Sequence, residues 1–444
     1  MKGLKIFTVI ALIALLVVGW ATFGVEKGTK IVSYNSSIST ADQYVEEGLY
    51  QRAILKYKEA LENNDSEKTW TKMFAAYELR YKEDTRILSD YITDLKAALE
   101  IYPKNVAYVQ KLYELHMSSN DFENAYTCLT LAIENGVKDE KIISQAKELK
   151  YSFKLDYNTY SDFKSISSSS YLVSNGEKWG YIDLTGDELT DYKYVFASSL
   201  NEDNTRILET TLGARLTNSE GVVLGIFKSK VTDAGLYSDG LIPAACEGKY
   251  NYYDSFAKEQ FGGYEYAGSF QDGVAVAKKD GKWTLIDTKG KEISDKFVDI
   301  KIDGNGRYLR GDVIVAAKED GKYQMFNDDG KQANKFTASN MDICMSDGLI
   351  AFEKDGKWGF VNTAGKTVIE PTYENAKSFS KGLAAVCKNG KWGFINNSNE
   401  LVIDYQFAGA DYFNSNGSCM VRYDAPEADD EVLWQLLVLN FGIQ

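Results

Sequence analysis

The stretch Lys354-Asp355-Gly356-Lys357-Trp358-Gly359-Phe360-Val361-Asn362 returns as Lys388-Asn389-Gly390-Lys391-Trp392-Gly393-Phe394-Ile395-Asn396. Self-similarity at a fixed period marks a repeat architecture, which constrains a chain more than any single motif does. With Trp358 as reference, seven positions line up: Trp179, Ala214, Tyr250, Trp283, Tyr323, Trp358 and Trp392, in steps of 35, 36, 33, 40, 35 and 34. Four residues beyond each stands an Asx: Asp183, Asn218, Asp254, Asp287, Asn327, Asn362 and Asn396. Seven beyond stands Gly186, Gly221, Gly290, Gly330 or Gly365; Asn399 takes that place in the last unit and Ala257 is the exception.

One unit is readable as short antiparallel strands. Gly382 to Lys388 is a strand of small and apolar residues, Asn389-Gly390 is a hairpin turn, and Lys391 to Asn396 is the return strand. Asn-x-x-Gly then turns again, because the Asx side chain caps its own backbone and Gly accepts positive φ. Leu401 to Ile403 follows as a further strand, and segments such as Tyr160–Ile166, Tyr194–Leu200, Tyr264–Phe270 and Tyr373–Phe379 lead into each hairpin. An eighth lead-in, Phe407–Phe413, precedes a last hairpin of Gly417–Tyr423 and Val432–Asn440, with the acidic stretch Asp424–Glu431 between. The spacing therefore predicts eight units, the eighth divergent. Eight units of this kind suit closure, which protects strand edges, so a propeller-like ring is favoured over an open β-array.

The better copies, at 176–186, 281–290, 356–365 and 390–396, resemble the WG-repeat (KWG) family of bacterial proteins over about 280 residues. That resemblance implies a structural and interaction module and no particular reaction. The units at Ala214 and Tyr250 depart most, having lost the Trp.

Residues 41–153 read as helical. Gly48, Tyr50, Ala53, Tyr57, Ala60 and Leu61 carry a spacing that returns at Asn120, Phe122, Ala125, Leu129, Ala132 and Ile133, with a poorer copy at Tyr91, Leu95, Ala98, Leu99 and Pro103. This spacing resembles the tetratricopeptide repeat and implies a short α-solenoid with a protein-binding concave face, closed by a capping helix over about 138–153. The expected fold class is thus multidomain α plus β: a TPR-like solenoid at 41–153, then an all-β antiparallel repeat array at 155–444.

At the N-terminus, Ile6–Val25 holds no charge over 20 residues, long enough at about 1.5 Å per residue to span a bilayer core. It is expected as a transmembrane signal-anchor, with residues 1–5 cytoplasmic, 26–40 a linker, and the bulk of the chain extracytoplasmic; a cleaved signal peptide is the rival.

Composition removes several function classes. A formal charge of −14 argues against a sequence-independent grip on nucleic acid. His116 is the one histidine, which argues against His-based catalysis and His-rich metal sites, and five cysteines without C-x-x-C read as apolar fillers. The repeated Asx reads as turn capping rather than calcium ligation. Asp303-Gly304-Asn305-Gly306-Arg307 begins like a calcium loop, but Arg307 falls at a ligand position. The repeated Trp and Tyr read as packing rather than a sugar-stacking surface. No catalytic, cofactor-binding or metal-ligating residue is assigned, and no cofactor is expected. The expectation is a non-enzymatic, membrane-anchored binding scaffold for proteins or cell-envelope polymer. A carboxylate-based glycan-active enzyme and a cytoplasm-facing scaffold are the alternatives. Specificity is expected where the units differ, at the Ala214 and Tyr250 copies and the acidic stretch before Trp434.

Overall fold

A computed structural model describes residues 29–164, 169–200, 205–422 and 433–442. The apolar run Ile6–Val25 and the acidic stretch Asp424–Glu431 lie outside the described residues. The chain divides into two compact units between Leu149 and Lys150.

Among the described residues the first unit has seven α-helices: α1 (29–46), α2 (Tyr50–Asn63), α3 (Glu67–Glu83), α4 (Leu88–Ile101), α5 (Val106–Ser118), α6 (Phe122–Glu134) and α7 (Glu140–Lys150). The small residues that the spacing singled out, Ala53, Ala60, Ala98, Ala125 and Ala132, are buried. Aromatic rings fill the space between helices: Tyr77 stacks on Tyr91 at 4.7 Å, and Phe74 meets Tyr108 edge-on at 5.0 Å. The stretch 34–40, expected as linker, is helical. Ser37 and Ala41 are buried, and the Tyr34 hydroxyl lies 2.7 Å from Thr69 Oγ1, so tertiary packing recruits a polar sequence into α1.

One expectation is corrected here. No helix among the described residues is long and apolar enough to cross a membrane. The longest helices are amphipathic; α3 alone carries Glu67, Lys68, Lys72, Glu78, Arg80, Lys82 and Glu83. The single-pass membrane protein anchored through Ile6–Val25, with its bulk outside the cell, is therefore not supported.

The second unit is an eight-bladed β-propeller. Eight antiparallel sheets follow one another in the chain, each a meander of three or four strands. Blade 2 is Phe196–Ala197, Arg206–Thr210, Gly213–Thr217 and Val223–Ile226; blade 7 is Asn375–Ala376, Leu383–Lys388, Lys391–Asn396 and Leu401–Phe407. Blade 8 takes its fourth strand from the start of the unit: Phe153–Leu155 pairs with Trp434–Leu439, Phe153 opposite Leu439. The ring is thereby closed by main-chain bonds between its two ends.

Alternation along the strands explains why the sheets pack into a ring. In Val274–Lys279 of blade 4, Ala275 and Ala277 join a cluster with Tyr252 and Leu241 of blade 3, while Val276 faces Ile314 and Ala316 of blade 5. Period-two side chains thus serve two interfaces from one strand. The same device runs round the ring to Met420, Leu436 and Val438 of blade 8, which pack with Tyr171, Val173 and Ile182 of blade 1.

The Trp-Gly pair has a distinct packing role at each residue. Trp179, Trp283, Trp358 and Trp392 each pack into the interface with the following blade. Tyr250, Tyr323 and Ala214 take the same place in theirs. The Gly lets the outer strand close over it: a Cβ on Gly359 would lie 2.5 Å from Ile369 O, and one on Gly393 2.6 Å from Ile403 O. The Asx four residues on caps the next turn. Asn396 Oδ1 accepts N–H from Ser398 and Glu400, both at 3.0 Å, and Asp287, Asp254 and Asn218 repeat the pattern.

Candidate functional site

The short lead-in strand lies at one edge of every sheet. Residues of the lead-ins of blades 1, 2, 3, 7 and 8 line a single cavity of about 660 Å³, so these strands converge on the propeller axis. The axial position follows Phe163, Ala197, Ala234, Ala267, Ile300, Met341, Ala376 and Ala410 in successive blades. It is filled by Lys164, Ser198, Gly235, Gly268, Lys301, Asp342, Lys377 and Asp411. One side of the ring is therefore charged and the other small.

The charged side is cross-linked by polar contacts. Lys164 Nζ donates to Asp233 Oδ1 of blade 3 at 2.7 Å. Lys377 Nζ donates to Asp411 Oδ1 at 2.8 Å and lies 4.5 Å from the Tyr412 ring centre. The Tyr412 hydroxyl reaches Asp342 at 2.7 Å, and Ser378 N–H donates to the same carboxylate at 2.7 Å. Burial pulls the Lys377 ammonium down, but Asp411 and Asp342 outweigh it and hold the group above the ordinary lysine value. Burial pushes Asp233 up, but Lys164 and the Tyr250 hydroxyl outweigh it and keep the carboxyl below its ordinary value. Where Tyr replaces the repeat Trp, an aspartate one residue before that Ala or Ile accepts its hydroxyl: Tyr250 on Asp233 at 2.5 Å, Tyr323 on Asp299 at 2.6 Å.

The small side is filled by blade 5. Its repeat step is the longest, and the extra residues form the loop 303–310. Asn305 O accepts from Ser269 Oγ of blade 4 at 2.7 Å, and Gln271 Oε1 accepts from Tyr308 N–H at 3.1 Å. The loop lies so close that a Cβ on Gly268 would stand 2.3 Å from Gly306 O. Asp303, expected as the start of a loop that departs from a calcium site, caps its own turn through Asn305 N–H and Arg307 N–H. Its other oxygen accepts from Arg307 Nε and Arg310 Nη1, both at 3.0 Å. Two guanidiniums thus occupy the place a cation would need. Among the described residues no three His, Cys, Asp or Glu side chains are grouped as metal ligands.

The cavity wall is aromatic. Phe163, Trp179, Phe196 and Trp434 all line it and all are partly exposed, while Asp162 and Lys230 stand exposed at its rim. Phe163 meets Trp434 edge-on at 4.8 Å. Sequence reasoning treated the repeat Trp as packing, which holds for each, and missed that Trp179 also lines the axial cavity, as does Trp434 of blade 8. His116, in α5, is buried, with Nδ1 2.9 Å from Asp121 Oδ2.

Comparison with known proteins agrees with the repeat reading. A sequence model described as "WG containing repeat" matches residues 263–283, 358–392 and 392–424, so the C-terminal unit carries WG repeats. No curated protein matches the chain. Among solved structures, KlHsv2 with loop 6CD replaced by a Gly-Ser linker is 10% identical, covering 64% of this chain and 98% of its own, with a TM-score of 0.38. PorZ, a surface component of the type-IX secretion system of Porphyromonas gingivalis, is 9% identical over 63% of this chain and 43% of its own, with a TM-score of 0.33. The Myceliophteria thermophila Cps50 (Swd1) β-propeller domain is 11% identical over 55% of this chain and 99% of its own, with a TM-score of 0.33. Similarities this low add nothing to the functional reading.

Proposed function

We propose that this chain is a non-catalytic, protein-binding scaffold that engages its partner at the axial mouth of the propeller. The observation that carries the reading is the mouth itself. Lead-ins of several blades present aromatic rings and charged groups to solvent there, on a frame closed by main-chain bonds. The WG repeats of the propeller use their recurring residues for packing and turns, which leaves the divergent positions for an interaction surface. The rival, a carboxylate-based glycan hydrolase, needs an acid with a raised pKa. Asp233, in the cavity, is shifted the other way by its lysine and tyrosine partners. The helical unit would offer a second binding surface.

Photo-crosslinking from the full chain in its native cells tests the reading. A crosslinker at Thr232 is expected to trap a discrete protein, and the double change Asp162→Lys with Lys230→Glu is expected to abolish the adduct. Turnover of a polymer by the purified chain, lost in Asp233→Asn, would overturn it.

A further inference from the structure

We infer that the group accepted by the axial mouth is a carbohydrate residue, displayed by whatever partner the propeller engages. The inference rests on the proposal that this mouth is the binding end. Three observations carry it. First, Phe163, Trp179, Phe196 and Trp434 form a wall of partly exposed rings in a cavity of about 660 Å³, within the range of about 300–1,000 Å³ usual for ligand sites. Lys164 Nζ lies 6.0 Å from the Phe196 ring centre and the Arg422 guanidinium 5.7 Å from that of Trp434, so a cation stands over each of those rings, and the apolar ring surface still exposed favours a ligand with C–H faces to lay on it.

Second, the charges in the cavity are already matched. Lys164 is paired with Asp233 at 2.7 Å, and Lys377 with Asp411 at 2.8 Å. Neither a polyanion nor a polycation finds an uncompensated field there. What the pairs retain is hydrogen-bonding capacity, since a carboxylate accepts about four bonds and an ammonium donates three. Hydroxyl groups, which both donate and accept, suit such a floor. At the rim, Asp162 of blade 1 and Lys230 of blade 3 add one exposed acceptor and one exposed donor.

Third, Gly304 of the inserted blade 5 loop joins residues of blades 1, 2, 3, 7 and 8 in the lining, so the site is bounded by several blades rather than laid along one.

The test is a fluorescence titration of the full chain with methyl glucoside, N-acetylglucosamine, glucuronic acid and their short oligomers. Trp179 and Trp434 are the reporters, and saturation-transfer NMR is the second readout. At least one sugar is expected to give a saturable signal. Asp162→Asn and Lys230→Gln, both on exposed side chains, are expected to weaken it about tenfold, and Phe163→Ala by more. If no sugar gives a saturable signal, or if both exposed-site variants bind as the parent does, the inference is wrong. Loss of the protein crosslink in those variants without any sugar binding would overturn the inference and leave the scaffold reading standing. Sugar binding with no protein trapped from Thr232 would uphold the inference and break the scaffold reading.

Discussion

Blade 7 has Trp392-Gly393 at the start of its third strand, where blade 2 has Ala214-Arg215. In blade 7 the outer strand runs seven residues, Leu401–Phe407, and bulges between the positions opposite Trp392 and Phe394. Gly393 leaves room for that bulge. In blade 2 the outer strand is four residues, Val223–Ile226, and pairs in regular register opposite Arg215 and Leu216, with Ile226 beside Arg215. What the two blades share is the alternating core and the Asx turn. Leu216 and Phe394 are both fully buried, and Asn218 and Asn396 both accept N–H from the residues two and four further on. The shared features carry the blade; Trp-Gly accompanies the seven-residue outer strand in blades 6 and 7, whereas blade 1 has Trp179-Gly180 in a three-stranded sheet and blade 3 has the outer strand Glu259–Tyr264 without the pair.

The comparison can be broken at several levels. The largest effect is expected in the core common to both blades. Phe394→Ala should cost about 3–5 kcal/mol and Leu216→Ala about 2–5 kcal/mol in denaturant unfolding of the chain. A negligible cost in blade 2 alone would mean that its core does not bear load as blade 7's does. Next, Gly393→Ala should cost about 2–3 kcal/mol, because the added Cβ meets main-chain atoms that cannot swing away. Arg215→Ala should stay within about 0.5 kcal/mol. Equal costs would sink the assignment of Gly393 to close approach. Asn396→Ala and Asn218→Ala should each cost about 1 kcal/mol, by the same amount in both blades, as the loss of a turn cap does.

Much of this was legible in advance, and the gaps have physical causes. The eight units, their hairpins and the Asx turns are local, so spacing alone exposed them. The closing strand Phe153–Leu155 was not legible. It has three residues and no turn signal of its own, and Ser152 meets Asn440 across 288 positions of sequence. The long step in blade 5 was visible as a number, but its path is set by Ser269 and Gln271 of the neighbouring blade. The axial site was hidden for the same reason, since Lys164 and Asp233 are neighbours only once the ring has closed. The linker reading of 34–40 failed because burial of Ser37 and Ala41 outweighed weak local propensity.

The smallest effect separates the two units rather than two blades. Burial lowers the pKa of His116 below its ordinary 6.5, against the partial opposition of Asp121. The folded helical unit therefore binds that proton less readily than the unfolded chain does. Its contribution is intact above pH 6.5 and is lost as pH falls through the lowered folded value. Between about pH 7 and pH 5 the helical unit should lose stability by an amount that His116→Phe removes, read by the helical signal in circular dichroism. The propeller, which has no histidine, should carry no such histidine-linked loss.

The central claim is that the C-terminal unit is a ring whose ends are joined by Phe153–Leu155 on Trp434–Leu439. Cysteines placed at Phe153 and Leu439, which stand opposite each other across that seam, test it directly. Mild oxidation of the folded chain should yield an intramolecular disulfide joining positions 153 and 439, identified by peptide mapping. Failure of that bond to form, while the chain remains folded and both thiols react with a small alkylating agent, would contradict a closed ring.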